Sequence, residues 1–128
     1  MKKLVIGLII LTVFGCNQST ETEDRMKQAK IIELVVWKFK NGVDIDNGKK
    51  SVLKLNEFVS KQPGFISRKT ALTEDGKFLD VILWSDLEAA KSASEKAMQN
   101  EMTTTIFNIM EENDMIFQHF ELFNHIKK

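Results

Sequence analysis

Residues 63–85 constrain this chain more than any other stretch. Two short apolar runs, 65–73 and 78–84, flank Glu74-Asp75-Gly76, the composition of a tight β-hairpin. A three-residue loop with Gly76 left-handed sets the register: Thr73 opposite Lys77, Leu72 opposite Phe78, Thr70 opposite Asp80 and Ile66 opposite Trp84. Side chains alternate along a strand. One face of the hairpin then carries Ile66, Arg68, Thr70, Asp80, Ile82 and Trp84, and the other Phe65, Ser67, Lys69, Leu79, Val81 and Leu83. Neither face is wholly polar, so both meet protein.

The flanking segments supply the rest of a fold. Residues 31–39 are almost continuously apolar and rich in β-branched side chains, broken by Glu33 and Lys38. This reads as a central strand buried on both faces. Asn41-Gly42 ends it. A helix is expected from Asp44 or Asp46 to Ser60, with Val52, Leu55 and Val59 on one side and a first turn weakened by Gly48. Pro63-Gly64 stops that helix and leads into the hairpin. After Trp84, Ser85-Asp86-Leu87-Glu88 has the spacing of a capping box, with Ser85 as the cap. The helix it opens lines up Leu87, Ala90, Ala93 and Ala97. Residues 100–110 form a further short helix, and residues 115–123 a last strand with Phe117, His119, Glu121 and Phe123 on one side.

The order strand, helix, hairpin, helix, strand is the split βαβ of an α+β, ferredoxin-like domain with a four-stranded antiparallel sheet. A length of 128 residues leaves room for one such domain. Its helices cover one sheet face only, yet all four strands carry large apolar residues on both faces. A second copy is the simplest cover, so a homodimer is expected. Charge is balanced at 18 basic and 18 acidic residues, with no basic patch to bind nucleic acid. The single cysteine excludes an intrachain disulfide.

That cysteine belongs to the N-terminal segment. Lys2-Lys3 precede an uncharged run, 4–14, too short to span a bilayer and of the length of a signal-peptide core. It ends in Val13-Phe14-Gly15-Cys16, which resembles the lipobox of bacterial lipoproteins. The resemblance implies a signal peptide over 1–15, an acylated Cys16 and export to the cell envelope, the protein held on the membrane by lipid. A secretory signal followed by a free thiol is the alternative. Residues 16–30 then form a polar tether and residues 31–128 the globular domain.

The globular part resembles the antibiotic biosynthesis monooxygenase-like domains of the dimeric α+β barrel superfamily. The resemblance lies in Ile32-Glu33-Leu34-Val35, Phe39 to Asp44, Gln62-Pro63-Gly64-Phe65-Ile66-Ser67-Arg68, Asp75-Gly76-Lys77 and Leu83-Trp84-Ser85. It implies a barrel of two sheets. It also implies, for Trp84, the position near the end of the third strand that both oxygenase branches use. The haem-degrading branch adds an asparagine on the first strand and a histidine on the second helix, both missing here. The quinone-oxidising branch adds a tyrosine, and this chain has none.

Four polar residues are placed to face a pocket: Arg68, Asp80, His119 and Glu33. Arg68 and Asp80 share a hairpin face within reach of an ion pair, structural or catalytic. His119, amid Phe117, Phe120 and Phe123, is either a base or a buried interface residue. Trp84 is the substrate-binding candidate, with core packing as its other reading, and His125 is a solvated residue. No residues have metal-ligand spacing, and no cofactor is expected. Two functions fit. One is a cofactor-independent monooxygenase acting on a flat aromatic or quinone-like ligand, with His119, Arg68 and Asp80 as catalytic residues. The other is a non-catalytic ligand-binding or dimerisation module. A cavity lined by Trp84 and entered by His119 or Asp80 favours the first; an interior filled by side chains favours the second.

Overall fold

A computed structural model describes residues 24, 29–126 and 128. The expected signal peptide, Cys16 and most of the tether lie outside these residues. The elements are β1 (Ile31–Phe39), α1 (Ile45–Val59), β2 (Phe65–Leu72), β3 (Phe78–Trp84), α2 (Leu87–Gln99), α3 (Glu101–Phe107) and β4 (Met110–Glu121). All strand pairs are antiparallel and the sheet order is β2-β3-β1-β4. This is the ferredoxin-like α+β fold, with the most apolar strand, β1, at its centre.

Local chemistry explains the element boundaries. Asp44 caps α1 by accepting from the Asn47 amide at 2.9 Å, and Gly42 takes the left-handed conformation that ends the turn before it. Gly48 is buried against the Phe39 ring, where an added Cβ would collide with the ring's edge. Sequence reasoning treats this glycine as a weak point of the helix; the structure uses it to bring α1 onto β1. The cap of α2 is Asp86, which accepts from the Ala89 amide at 2.8 Å, and not Ser85. Ser85 donates to Asp86 Oδ2 instead, because the carboxylate is the stronger acceptor for the helix N-terminus. The three threonines of α3 are tolerated because Thr103, Thr104 and Thr105 each donate to a backbone carbonyl one turn back.

One strand departs from the expected register and another from its expected bounds. The hairpin pairs as expected from Leu72–Phe78 to Ser67–Leu83, with Gly76 left-handed. A bulge at Ile66 then sets Phe65, not Ile66, opposite Trp84. The extra residue moves Phe65 to the helix-covered face, where its ring meets Trp84 edge-on at 5.9 Å. On β4, regular pairing covers Ile116 to Glu121, close to the expected strand, but the element starts at Met110. A register shift between Val36 and Lys38 of β1 accommodates the exposed residues 112–114.

The helices cover one face of the sheet. The other face carries Ile32, Leu34 and Val36 of β1, Leu79, Val81 and Leu83 of β3, and Ile116 and Phe120 of β4. All of these are partly or well exposed in the single chain. Lys38 and Lys69 stand toward its margin. In the isolated chain β1 is therefore buried on one face and half-buried on the other.

Candidate functional site

The helix-covered face holds a line of polar side chains that crosses every strand. Glu33 of β1 stands opposite His119 of β4, and Asp80 of β3 stands opposite Val35 of β1 and Thr70 of β2. With Arg68 two positions before Thr70, the polar line runs His119, Glu33, Asp80, Thr70 and Arg68. It separates two apolar cores. Ile31, Val59, Ile82, Trp84, Ala90 and Ala93 form one, and Trp37, Val52, Leu55, Phe78, Ile106 and Met110 the other.

The Arg68 end of the line is closed. Its Nη2 donates to Asp80 Oδ2 at 2.6 Å, and Nη1 donates to Asn56 Oδ1 at 2.9 Å and to the Val52 carbonyl at 3.2 Å. Thr70 Oγ1 donates to the other Asp80 oxygen. Both charged side chains are buried, as a charge pair can be only when its remaining hydrogen-bonding capacity is met. The pair ties β2, β3 and α1 together.

The His119 end is open. His119 Nε2 lies 2.8 Å from Glu33 Oε2, with side-chain exposures of 16% and 7%. Ser94 of α2 donates to the Ala90 carbonyl at 3.0 Å and stands 3.4 Å from Glu33 Oε2. Burial raises the Glu33 carboxyl above its ordinary value. The hydrogen bond and charge of His119 and the Ser94 hydroxyl pull it back, and the charge of Asp80 pushes it up. Phe117 meets the His119 ring edge-on at 5.2 Å and is 51% exposed. Because β4 is an edge strand, this half of the line reaches solvent.

The structure thus joins Arg68 to Asp80 and His119 to Glu33, and leaves Trp84 apart. Trp84 is packed in the first core, 1% exposed, against Phe65. The indole N–H groups of Trp84 and Trp37 are buried without a partner among the described residues. His125 is exposed. Sequence reasoning singles out Glu33 without giving it a partner, sets Thr70 opposite Asp80 without giving it a role, and misses Ser94 and Asn56. The available signal was Glu33 itself, a carboxylate inside the most apolar strand. No three His, Cys, Asp or Glu side chains are grouped to hold a metal among the described residues. Two surface clefts, of about 290 Å³ beside Gly64 and Asp86 and about 490 Å³ beside Lys54 and Glu101, are not lined by His119, Arg68, Asp80 or Trp84.

No protein-family model matches this sequence, and no curated protein matches it. Solved structures do match it in fold. A variant of SnoaB, a cofactor-independent oxygenase from Streptomyces nogalater, aligns with a TM-score of 0.65 at 12% identity, over 78% of this chain and 99% of that one. A dimeric ferredoxin-like protein from an uncultured marine organism aligns at 0.62 and 8% identity, over 78% of this chain and 93% of that one. The ActVA-Orf6 monooxygenase of Streptomyces coelicolor, solved with nanaomycin D, aligns at 0.58 and 15% identity, over 84% and 98%. At these identities the likeness is one of fold.

Proposed function

We propose that this chain is a lipid-anchored, dimeric small-molecule-binding domain whose site is the open Glu33–His119 end of the polar line. One observation carries the reading: a buried carboxylate holds a partly exposed imidazole at 2.8 Å, next to a half-exposed aromatic ring. A carboxylate behind an imidazole orients the ring and favours the charged form, the arrangement a general base needs. Phe117 offers a flat ligand an apolar wall.

In the finer reading the domain is a cofactor-independent monooxygenase of a flat phenol or quinol. His119 takes the hydroxyl proton, and the electron-rich anion reacts with dioxygen. The ring hydroperoxide that forms loses water, so that phenol plus oxygen yields quinone plus water. The buried Arg68–Asp80 pair acts at a distance, holding β2 and β3 in register beneath α1. The oxygenase fold neighbours are compatible with this chemistry. Oxygen uptake by the purified protein over a panel of naphthols and anthrols tests it. Uptake that disappears in His119→Gln is expected; no uptake with any of them removes the oxygenase reading.

A specific observation favours the second reading, a ligand-binding or dimerisation module without catalysis. Trp84, Arg68 and Asp80 are enclosed by side chains, and neither cleft touches them. In both readings a second copy covers the apolar sheet face, as the dimeric ferredoxin-like neighbour suggests. Lipid on Cys16 ties the domain to the membrane. That part of the proposal rests on the sequence alone.

A further inference from the structure

The Glu33–His119 pair has a property that neither residue has alone. When Glu33 is ionised and the imidazole neutral, Nε2–H donates to the carboxylate and Nδ1 carries a lone pair. Adding one proton to the pair puts hydrogen on Nδ1 wherever that proton settles. An imidazolium carries hydrogen on both nitrogens. A neutral ring that accepts the carboxyl O–H at Nε2 must carry its own hydrogen on Nδ1. The second nitrogen is therefore an acceptor in one state of the pair and a donor in the next. No described residue bonds to Nδ1, and it is not among the buried unpartnered atoms, so it meets solvent.

The surroundings favour a pair that can gain this proton. Arg68 and Asp80 neutralise each other on β2 and β3. The only polar group that α2 brings to Glu33 is the uncharged Ser94 hydroxyl. Glu121, on the same side of β4, is exposed. An ionised Glu33 beside a neutral imidazole thus leaves one uncompensated negative charge in a largely buried line, and a proton on the pair removes it.

We propose that Glu33 makes His119 a proton-taking anchor for weak-acid hydroxyl groups on flat rings: the ligand's proton passes to the pair, and the ligand is held as its anion against Nδ1–H beside Phe117. The inference rests on His119 being the ligand-facing group, as proposed above. The ligand O–H bond breaks, its electron pair stays on oxygen, and an N–H bond forms at Nδ1. The pair goes from carboxylate and neutral imidazole to carboxylate and imidazolium, with no oxidant or reductant involved. His119 touches the ligand; Glu33 is a positioning residue that stabilises the imidazolium from behind. The anion so produced is the form that reacts with dioxygen, if any reaction follows.

The test uses the whole chain, purified in detergent, and para-nitrophenol, whose anion absorbs in the visible. On the native protein the bound phenol should ionise at a pH at least about one unit below that of the free phenol, a tenfold change in its ionisation constant. In Glu33→Gln the amide oxygen can still accept from Nε2–H but offers no negative charge, so the shift should vanish while binding persists. A second reading needs no variant: in the native protein, saturating para-nitrophenol should raise the pH at which the His119 ring proton titrates by NMR. Three results each overturn the inference: no binding at millimolar phenol, an unshifted bound phenol, or a shift that survives in Glu33→Gln. An anion held without oxygen uptake would keep the anchor and discard the oxygenase reading.

Discussion

Glu33 and His119 face one another directly across the β1–β4 ladder, 86 residues apart in the chain, with Nε2 and Oε2 at 2.8 Å. The contact links the centre of the sheet to its edge, and its state depends on pH. Burial makes Glu33 harder to ionise in the folded protein than in the unfolded chain, so the folded state binds the proton more tightly. By linkage, stability then falls as pH rises above 4.5, the ordinary value, through the range in which the folded carboxyl titrates. Urea unfolding of the native protein and Glu33→Gln across pH 4 to 8 checks this. The native protein should lose stability relative to the variant as pH rises; parallel curves would refute the assignment.

The Arg68–Asp80 pair predicts an asymmetry. Arg68→Met leaves a buried carboxylate with only Thr70 as partner, and should lower stability by about 3–5 kcal/mol. Replacing both residues, Arg68→Met with Asp80→Leu, should cost clearly less than Arg68→Met alone, because no lone charge remains. Denaturant midpoints of the single and double variants measure this. A double variant as damaged as the single one would mean that the pair is needed for more than its own charge balance.

Gly48 provides a packing test. In an exposed helix Gly→Ala adds about 1 kcal/mol of stability. Here the new methyl group would drive into the Phe39 ring, so Gly48→Ala should instead destabilise by about 1–3 kcal/mol. Adding Phe39→Leu should recover part of the loss. Thermal melts of the three proteins decide it, and a more stable Gly48→Ala would show that α1 does not rest on Phe39.

The open sheet face predicts an oligomeric state. Leu34 lies at the middle of that face on the central strand. Leu34→Glu should halve the mass seen by light scattering at micromolar protein and leave the far-ultraviolet circular dichroism intact. A native protein that is already monomeric removes the proposed dimer.

The anchor is tested in cells. Cys16→Ser should block processing or release the protein from the membrane fraction. Unchanged fractionation and unchanged mature mass would leave the lipoprotein proposal without support.

Much of this was legible in the chain itself. The Asp75-Gly76 turn, the alternation of the hairpin and the apolar run of β1 are local signals whose geometry needs only neighbouring residues. They sufficed for the element order, the split βαβ topology, the register from Leu72–Phe78 to Ser67–Leu83 and the Arg68–Asp80 pairing. The uncovered apolar face was also implied, because helices packed on one side of four strands leave the other side open.

Other features depended on energies that no short window contains. The bulge at Ile66 arises where Phe65 gains a place against Trp84, and the cap of α2 passes from Ser85 to a stronger acceptor one residue on. Above all, the pairing of Glu33 with His119 requires β4 to return beside β1 in one particular register, reached past the irregular residues 112–114. A sequence states which side chains are polar and which face of a strand they share. Only the folded sheet decides which of them meet, because burying a charge is tolerable where a partner is in reach, and that partner comes from the far end of the chain.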